Sequence, residues 1–562
     1  MSYDLILRGG RVVDGTGMPG FIADIAIRDG RIARIGKIDE AAARIIDCDG
    51  AIVAPGFIDV HTHYDVQLDW DPLASPSCYH GVTTVLTGNC GFTLAPAKPE
   101  DVPWLAAMLS RVEGMSKEAL AVGFEFAGGS FGDFWNRLEG RLGINAGGYV
   151  GHCAVRRWVM GDDASERVAT QDEIEAMQVL VRESMNQGAI GFSTSQLDLH
   201  VGDDGREVPC NHATHEEILA LASVLAEFDH GAIEIIPRSM SEGYDEADRK
   251  LLLDLYRVSG KPVELNILSP TPAHPMGWQA TLDFCREASK NGVRLHPQFT
   301  TNRLELHLKL ADTFVFDEMP MWREVLTRPE PERCRRLREE ETRKRLRTEW
   351  EDPEVRAVSF DFGDLLVEAV TRSENESLVG RSVAEIANER GASAFDTFLD
   401  LALSEDLNMS FQTGMPEVAR AFIKMVVETG VTDPIVMAGS SDGGAHLASF
   451  TGADYSTRLL SEWVPDSMSL EQAIWRLAGM PATVHGLIDR GFLRRGAWAD
   501  IVIFDLDRLW ASEAYLARDF PAETERYVVD AEGYRYLIVA GEIVIQDGKA
   551  TDARPGQVIR GA

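Results

Sequence analysis

Hydrophobic positions follow two rhythms along the chain. Over residues 4–54, short β-branched runs (DLILRGGRVVDGTG, ADIAIRDGRIARIG, RIIDCDGAIVAPG) are interrupted by Gly-Gly and Asp-Gly pairs. Apolar alternation with that punctuation predicts hairpin strands. The same rhythm returns in ADIVIFDLD (499–507) and RYLIVAGEIVIQDGKAT (535–551). Residues 1–55 and 486–562 are therefore predicted to assemble into one small β-sandwich domain.

Residues 56–485 behave differently. GVTTVLTGN (81–89), AIGFSTS (189–195), AIEIIPRS (232–239), PVELNILS (262–269) and GVRLHPQF (292–299) are strand-like, with helical patterns between several of them. TQDEIEAMQVLVRESMNQG (170–188) and THEEILALASVLAEFDHG (214–231) carry acidic first turns and end on Gly, as helix termini do. Strands apolar on both faces, alternating with helices, predict an α/β chain with a parallel TIM-like (β/α)8 barrel. A doubly wound sheet is the rival, weakened because no GxGxxG opens a helix after the first strand. Residues 304–357 break the rhythm with REVLTRPEPERCRRLREEETRKRLRTEWEDPE. This charged block reads either as a solvated helix laced with i,i+4 ion pairs or as an insertion that lids the barrel pocket.

Composition narrows the classes. A chain of 562 residues exceeds what one core organises, so more than one unit is expected. Lys and Arg number 55 against 89 Asp and Glu, a formal charge of −34, which repels phosphate backbones and anionic lipid. Neither nucleic acid nor a membrane is expected as a partner, and no run approaches the ~18 apolar residues of a membrane span. MSYDLILRGG lacks the pattern of a secretory leader, so a cytoplasmic location is expected. The seven cysteines are scattered without CxxC pairs, against a disulfide framework or a zinc ribbon. A homo-oligomer stays open.

The chemistry-bearing residues sit at strand exits. In GFIDVHTHYD (56–65), His61 and His63 leave an apolar run two residues apart, so their side chains share one side of the backbone. Two imidazoles there form half of a zinc site; alone, such a pair is ordinary core packing. HGVTTVLTGNCGF (80–92) brings Cys90 to another exit, where it reads as a metal thiolate or as a buried inert thiol. IVMAGSSDGGAH (435–446) delivers Asp442, with His446, a candidate substrate-binding residue, four residues on. A carboxylate there can bind a metal and take a proton from water, or merely close an Asx turn before Gly-Gly. Arg156, Arg157 and Arg238 are candidate anchors for a substrate carboxylate, which guanidinium grips bidentately; surface salt bridging is the bland alternative. His152, His200 and His296 read as satisfied structural histidines.

GFIDVHTHYD, the GNCG stretch, GAIGFSTS, SSDGG, GAWADIVIFD and the ending GKATDARPGQVIRG together resemble, nearly end to end, the amidohydrolase superfamily. Within it they most resemble the N-acyl-D-amino-acid deacylases, which use a cysteine where relatives use a carboxylated lysine. The resemblance implies a metal-dependent hydrolase barrel with His61, His63, Cys90 and Asp442 as ligands and Asp442 also as general acid/base. It implies Zn2+, though another divalent metal would serve; with the second site read below as dismantled, one per chain is expected. It also implies a small-molecule acyl-amide substrate whose amide C–N bond is cut, an N-acyl amino acid above all.

The chain departs from that family where two further metal histidines belong, in EIIPRSMSEG and ELNILSP: the positions read Ile236 and Asn266. Ile has no donor atom and Asn is a poor zinc ligand, so the second metal site reads as dismantled. Glu234 and Glu264, two residues earlier on the same strand faces, are the available substitutes. A Tyr-Pro-Tyr motif near HPQFTT (296–301) and a His-Pro-Arg after the Asp are also missing. The rivals are a cyclic-amide hydrolase or deaminase on the same scaffold, and a catalytically inactive binding protein.

Overall fold

The computed structural model describes residues 3–561 other than 270, 272, 304, 314, 357–359 and 414–416, and side chains other than those of 417–420, 422, 423 and 431. Eight parallel strand positions form a barrel: β1 (Phe57–Asp59), β2 (Val82–Thr87), β3 (Asn145–Gly148, continued by Val150–Gly151), β4 (Gly191–Ser195), β5 (Ala232–Ile236), β6 (Val263–Leu265), β7 (Leu295–Phe299) and β8 (Met437–Ala438). Neighbours pair in parallel from β1 to β8. The ring closes where Thr62 pairs with Gly443 and the His63 N–H donates to the Gly443 carbonyl at 2.7 Å.

The sequence pattern explains these elements. β2 and β5 are buried at every position, as strands wrapped by helices outside and packed side chains inside must be. Thr170 and Glu173 cap the helix Gln171–Asn186 reciprocally, satisfying N–H groups that the first turn leaves open. The stretch 214–231 is less uniform: its α-helix covers His215–Ser223, then tightens into Val224–Glu227.

The two ends form one branched nine-stranded sheet. Tyr3–Val12 pairs first with Ala42–Asp47 and then with Ile52–Pro55, and Ile52–Pro55 pairs with Ile501–Phe504 from the far end of the chain. Strand alternation sorts the cores. Ile501 and Ile503 join the terminal sheet's apolar cluster, while Val502 and Phe504 join the barrel's. Asp29-Gly30 and Asp547-Gly548 both have two successive positive φ angles, the turn geometry that a two-residue hairpin requires.

The block after β7 is larger than its charge suggests. An apolar cluster runs from Leu308 to Phe411, with Phe316 stacked on Trp322 at 4.2 Å and Trp350, Phe362, Phe395 and Phe398 beside them. His307–Leu308, Leu365–Ala369 and Ser410–Thr413 form a three-stranded antiparallel sheet under it. The charged helices Glu330–Leu337 and Glu340–Trp350 form its skin, with Arg335–Glu339 and Arg336–Glu332 paired across one turn. The bounds 304 and 357 expected for this block lie outside the described residues; the cluster itself continues well past 357. Among the described residues, no helix is long and apolar enough to cross a membrane.

Candidate metal centre

His61 and His63 follow β1 directly, and the residue between them turns away: the Thr62 hydroxyl donates to the Leu86 carbonyl at 2.8 Å. Both imidazoles therefore face the barrel mouth. Cys90 lies in the turn Asn89–Gly91 after β2, clamped by the Asn89 amide, which donates to the Thr62 and Leu86 carbonyls at 3.1 Å each. Asp442 follows β8 in a loop held to β1 by the Ser441 hydroxyl, which donates to Asp59 at 2.7 Å. Cys90, Ser440, Asp442 and His446 all have φ between 49° and 57°. Non-glycine residues in that region cost about 1–3 kcal/mol each and collect at functional sites.

The ligand atoms of His61, His63 and Cys90 lie within 4.8 Å of one another. His61 Nε2 is 3.4 Å from Cys90 Sγ and 3.3 Å from Asp442 Oδ1, and His63 Nε2 is 3.8 Å from the same oxygen. Tetrahedral zinc, with bonds near 2.0–2.3 Å, sets neighbouring donors about 3.3–3.8 Å apart. The donor set fits such a cation.

The electrostatics fit as well. Burial lowers His61 to about 3 and His63 well below its usual range, keeping both neutral, the form that binds metal. Burial raises Asp442 to about 7. Burial, with Glu234, Glu113 and Asp442 nearby, pushes the Cys90 thiol well up. A bound divalent cation reverses that logic, because its charge favours thiolate and carboxylate.

The positions of the absent histidines are occupied otherwise. Ile236 is buried at the end of β5. The Asn266 amide nitrogen lies 3.5 Å from His61 Nε2, and its oxygen accepts from the Ser440 hydroxyl. Ser440 Oγ is 2.9 Å from Gln298 Oε1, Gln298 Nε2 donates to Glu264 at 3.0 Å, and Glu264 pairs with His485 at 2.7 Å. Tyr149 OH lies 2.8 Å from the same His485 nitrogen. Glu264 is thus engaged below the centre rather than at it. Glu234 stays close: its Oε2 accepts from the Cys90 N–H at 2.7 Å and its Oε1 is 3.8 Å from His61 Nδ1.

The arginine expectations need correction. Arg156 is buried, with Nη1 2.5 Å from both Glu217 oxygens and its other nitrogens on the Ala164 and Arg167 carbonyls. Arg157 is held by Asp101 and Asp162 at 2.7 Å each, over the Trp104 ring. Neither guanidinium presents the open edge that a substrate carboxylate needs. Arg238, two residues beyond β5, is half-exposed and pairs with Asp198. His446 lies beside the centre, its Nε2 3.8 Å from Glu113. His152 is taken by Thr194 and Glu217, His200 by Ser195, and His296 by the Ile435 carbonyl.

Sequence reasoning missed Glu113, whose buried carboxylate lies 3.3 Å from His63 Nδ1. It also missed Gln298, Ser440 and His485; no periodicity or motif marks any of them.

The Amidohydrolase family profile matches residues 44–545. The D-aminoacylase of Alcaligenes xylosoxydans xylosoxydans is 30% identical over 99% of this chain and 97% of its own length. The N-acyl-D-glutamate deacylase of Bordetella bronchiseptica, solved with zinc and a phosphonate inhibitor, covers both chains fully at 27% identity with a TM-score of 0.67. A D-aminoacylase structure described with a binuclear metal centre covers 99% of this chain and all of its own at 26% identity, with a TM-score of 0.66. A ring of eight parallel strands, a cluster of donors at their exits and a match along nearly the whole sequence agree: this chain belongs to the amidohydrolase family.

Proposed function

We propose that this chain is a mononuclear zinc-dependent deacylase of N-acyl amino acids, with the D-configuration favoured. In this division, residues 56–485 carry the reaction, 1–55 with 486–562 support it, and the insertion after β7 covers the mouth. The observation that carries the reading is that the ligand atoms of His61, His63 and Cys90 lie within 4.8 Å of one another, with Asp442 Oδ1 3.3 and 3.8 Å from the two imidazoles, on three strand exits. The names of the relatives supply the substrate class and its handedness.

His61, His63, Cys90 and Asp442 would hold the cation, which when bound makes water nucleophilic near pH 7 and polarises the scissile carbonyl. Asp442 accepts a proton from the attacking water and returns it to the amide nitrogen, so the amine leaves neutral as the C–N bond breaks. Cys90 and the two histidines fix the reacting atoms rigidly at strand ends. Of the three arginines Arg238 is the half-exposed one, and a substrate carboxylate would displace Asp198 from it.

Elemental analysis of wild type and His61→Ala/His63→Ala, with amine release measured from matched N-acetyl-D- and N-acetyl-L-amino acids, tests the reading. About one zinc per wild-type chain is expected, lost with hydrolysis in the double variant. Zinc uptake without turnover of any N-acyl amide would turn the assignment toward a binding protein. No zinc uptake at all would end it.

A further inference from the structure

We infer that Glu113 is a positioning residue for His63, reaching the centre from outside the barrel. The inference rests on the zinc reading above. Glu113 caps the helix Val102–Val112, which belongs to the excursion between β2 and β3 rather than to the barrel wall. Its backbone is pinned on both sides: its N–H donates to the Leu109 carbonyl at 2.8 Å, and its own carbonyl accepts from the His446 N–H. The next residue must be small. Gly114 has φ +58°, and a Cβ there would come 3.3 Å from the His446 Cα.

So held, the carboxylate is aimed at two imidazoles. Oε1 lies 3.3 Å from His63 Nδ1 and Oε2 lies 3.8 Å from His446 Nε2. His63 turns its other nitrogen, Nε2, toward Asp442. A neutral imidazole carries one proton. An acceptor on the Nδ1 side holds the proton there, fixes the ring, and leaves the Nε2 lone pair for the cation. His63 Nδ1 is buried with no aligned hydrogen bond, and Glu113 Oε1 is the carboxylate oxygen 3.3 Å from it. His61 has the matching arrangement with Glu234, but that carboxylate comes from β5 inside the barrel.

The two histidines therefore differ in what orients them. The outer support continues outward: Arg111, two residues before Glu113, pairs at 2.5 Å with the buried Asp317 of the insertion after β7. Docking of the excursion and the insertion thus bears directly on one metal ligand.

Zinc affinity measured by chelator competition on wild type, Glu113→Ala, Glu113→Gln and Glu113→Asp decides the matter, with melting of the metal-free proteins alongside. Glu113→Ala is expected to weaken zinc about 10–100-fold. Glu113→Gln keeps an acceptor oxygen at the same reach and is expected to recover most of that loss, whereas Glu113→Asp, one methylene shorter, recovers less. Zinc binding unchanged in Glu113→Ala overturns the inference. So does equal weakening in the Ala and Gln variants that tracks their melting, since that marks a purely structural acid. Should Glu113→Ala not fold, the order Gln above Asp still carries the test, and its reversal overturns the inference. Wild type that takes up no zinc would instead defeat the reading on which the inference rests.

Discussion

Two sides of one barrel mouth have diverged. On the side built by β1, β2 and β8, the ligand atoms of His61, His63 and Cys90 lie within 4.8 Å of one another, and Asp442 Oδ1 lies 3.3 and 3.8 Å from the two imidazoles. Cys90 and Asp442 have positive φ, and His61 Nδ1 and His63 Nδ1 lack aligned partners. On the side built by β5, β6 and β7, Ile236 and Asn266 occupy the positions where the sequence resemblance implies metal histidines. There the polar groups form one contiguous run from Asn266 through Ser440, Gln298 and Glu264 to His485. Buried polar groups need partners. On the first side the two Nδ1 atoms face the carboxylates Glu234 and Glu113 while the Nε2 atoms face Asp442; on the second side the polar groups face one another. On the mononuclear reading, losing a metal position takes more than deleting ligands, because the neighbouring polar groups must then find partners within the protein.

The comparison breaks most sharply at Asp442. Asp442→Asn preserves size and one acceptor oxygen but removes the group that takes and returns the proton. The expected loss in kcat is about 10²–10⁴-fold, read from amine release under zinc saturation. A kcat within a few-fold of wild type would remove Asp442 from the proton path and leave it a ligand alone.

The contrast also explains what the sequence makes legible. His61 and His63 can be read because strand periodicity puts i and i+2 on one side and an apolar run marks the strand. Cys90 and Asp442 stand at exits too, but their roles come from family resemblance, since a lone Cys or an Asp before Gly-Gly has a commoner local explanation. Arg156 shows the opposite limit. Its charge is visible, but its partner Glu217 is 61 residues away and meets it only in the folded chain. The insertion's core hides similarly, its aromatic residues scattered between Phe316 and Phe411 amid paired charges that dominate any local window. Glu113 follows no strand and repeats no pattern, so only tertiary structure brings it to His63.

On the network side the largest effect falls on stability. Glu264 and His485 are fully buried and 2.7 Å apart. Removing one partner of a buried pair leaves the other uncompensated, at about 3–5 kcal/mol, so His485→Gln should lower the melting temperature while zinc content stays at the wild-type level. The loss depends on pH. Burial alone would lower His485, but the charge and hydrogen bond of Glu264 outweigh it and raise the imidazole above its ordinary value. Its unfolded counterpart titrates near 6.5, so the contribution is complete below about that pH and fades as pH rises through the folded value. The melting gap between wild type and His485→Gln should therefore be widest below about pH 6.5 and narrow as pH rises above it. A gap that widens with pH would reverse the assigned charges.

The smallest expected change in metal content is the most informative about the divide. Ile236→His/Asn266→His restores imidazoles where the family has them, yet leaves Ser440, Gln298, Glu264 and His485 in place. Those groups already contact one another, and Gln298 is tied to both Ser440 and Glu264. A second zinc would have to compete with that network as well as with water, so the double variant should still bind about one zinc per chain, its two new imidazoles adding no second equivalent. Elemental analysis after equilibration with excess zinc and desalting reads this directly. A stable second equivalent would mean that two side chains alone separate the two sides, and that the network formed around a vacancy it does not itself enforce.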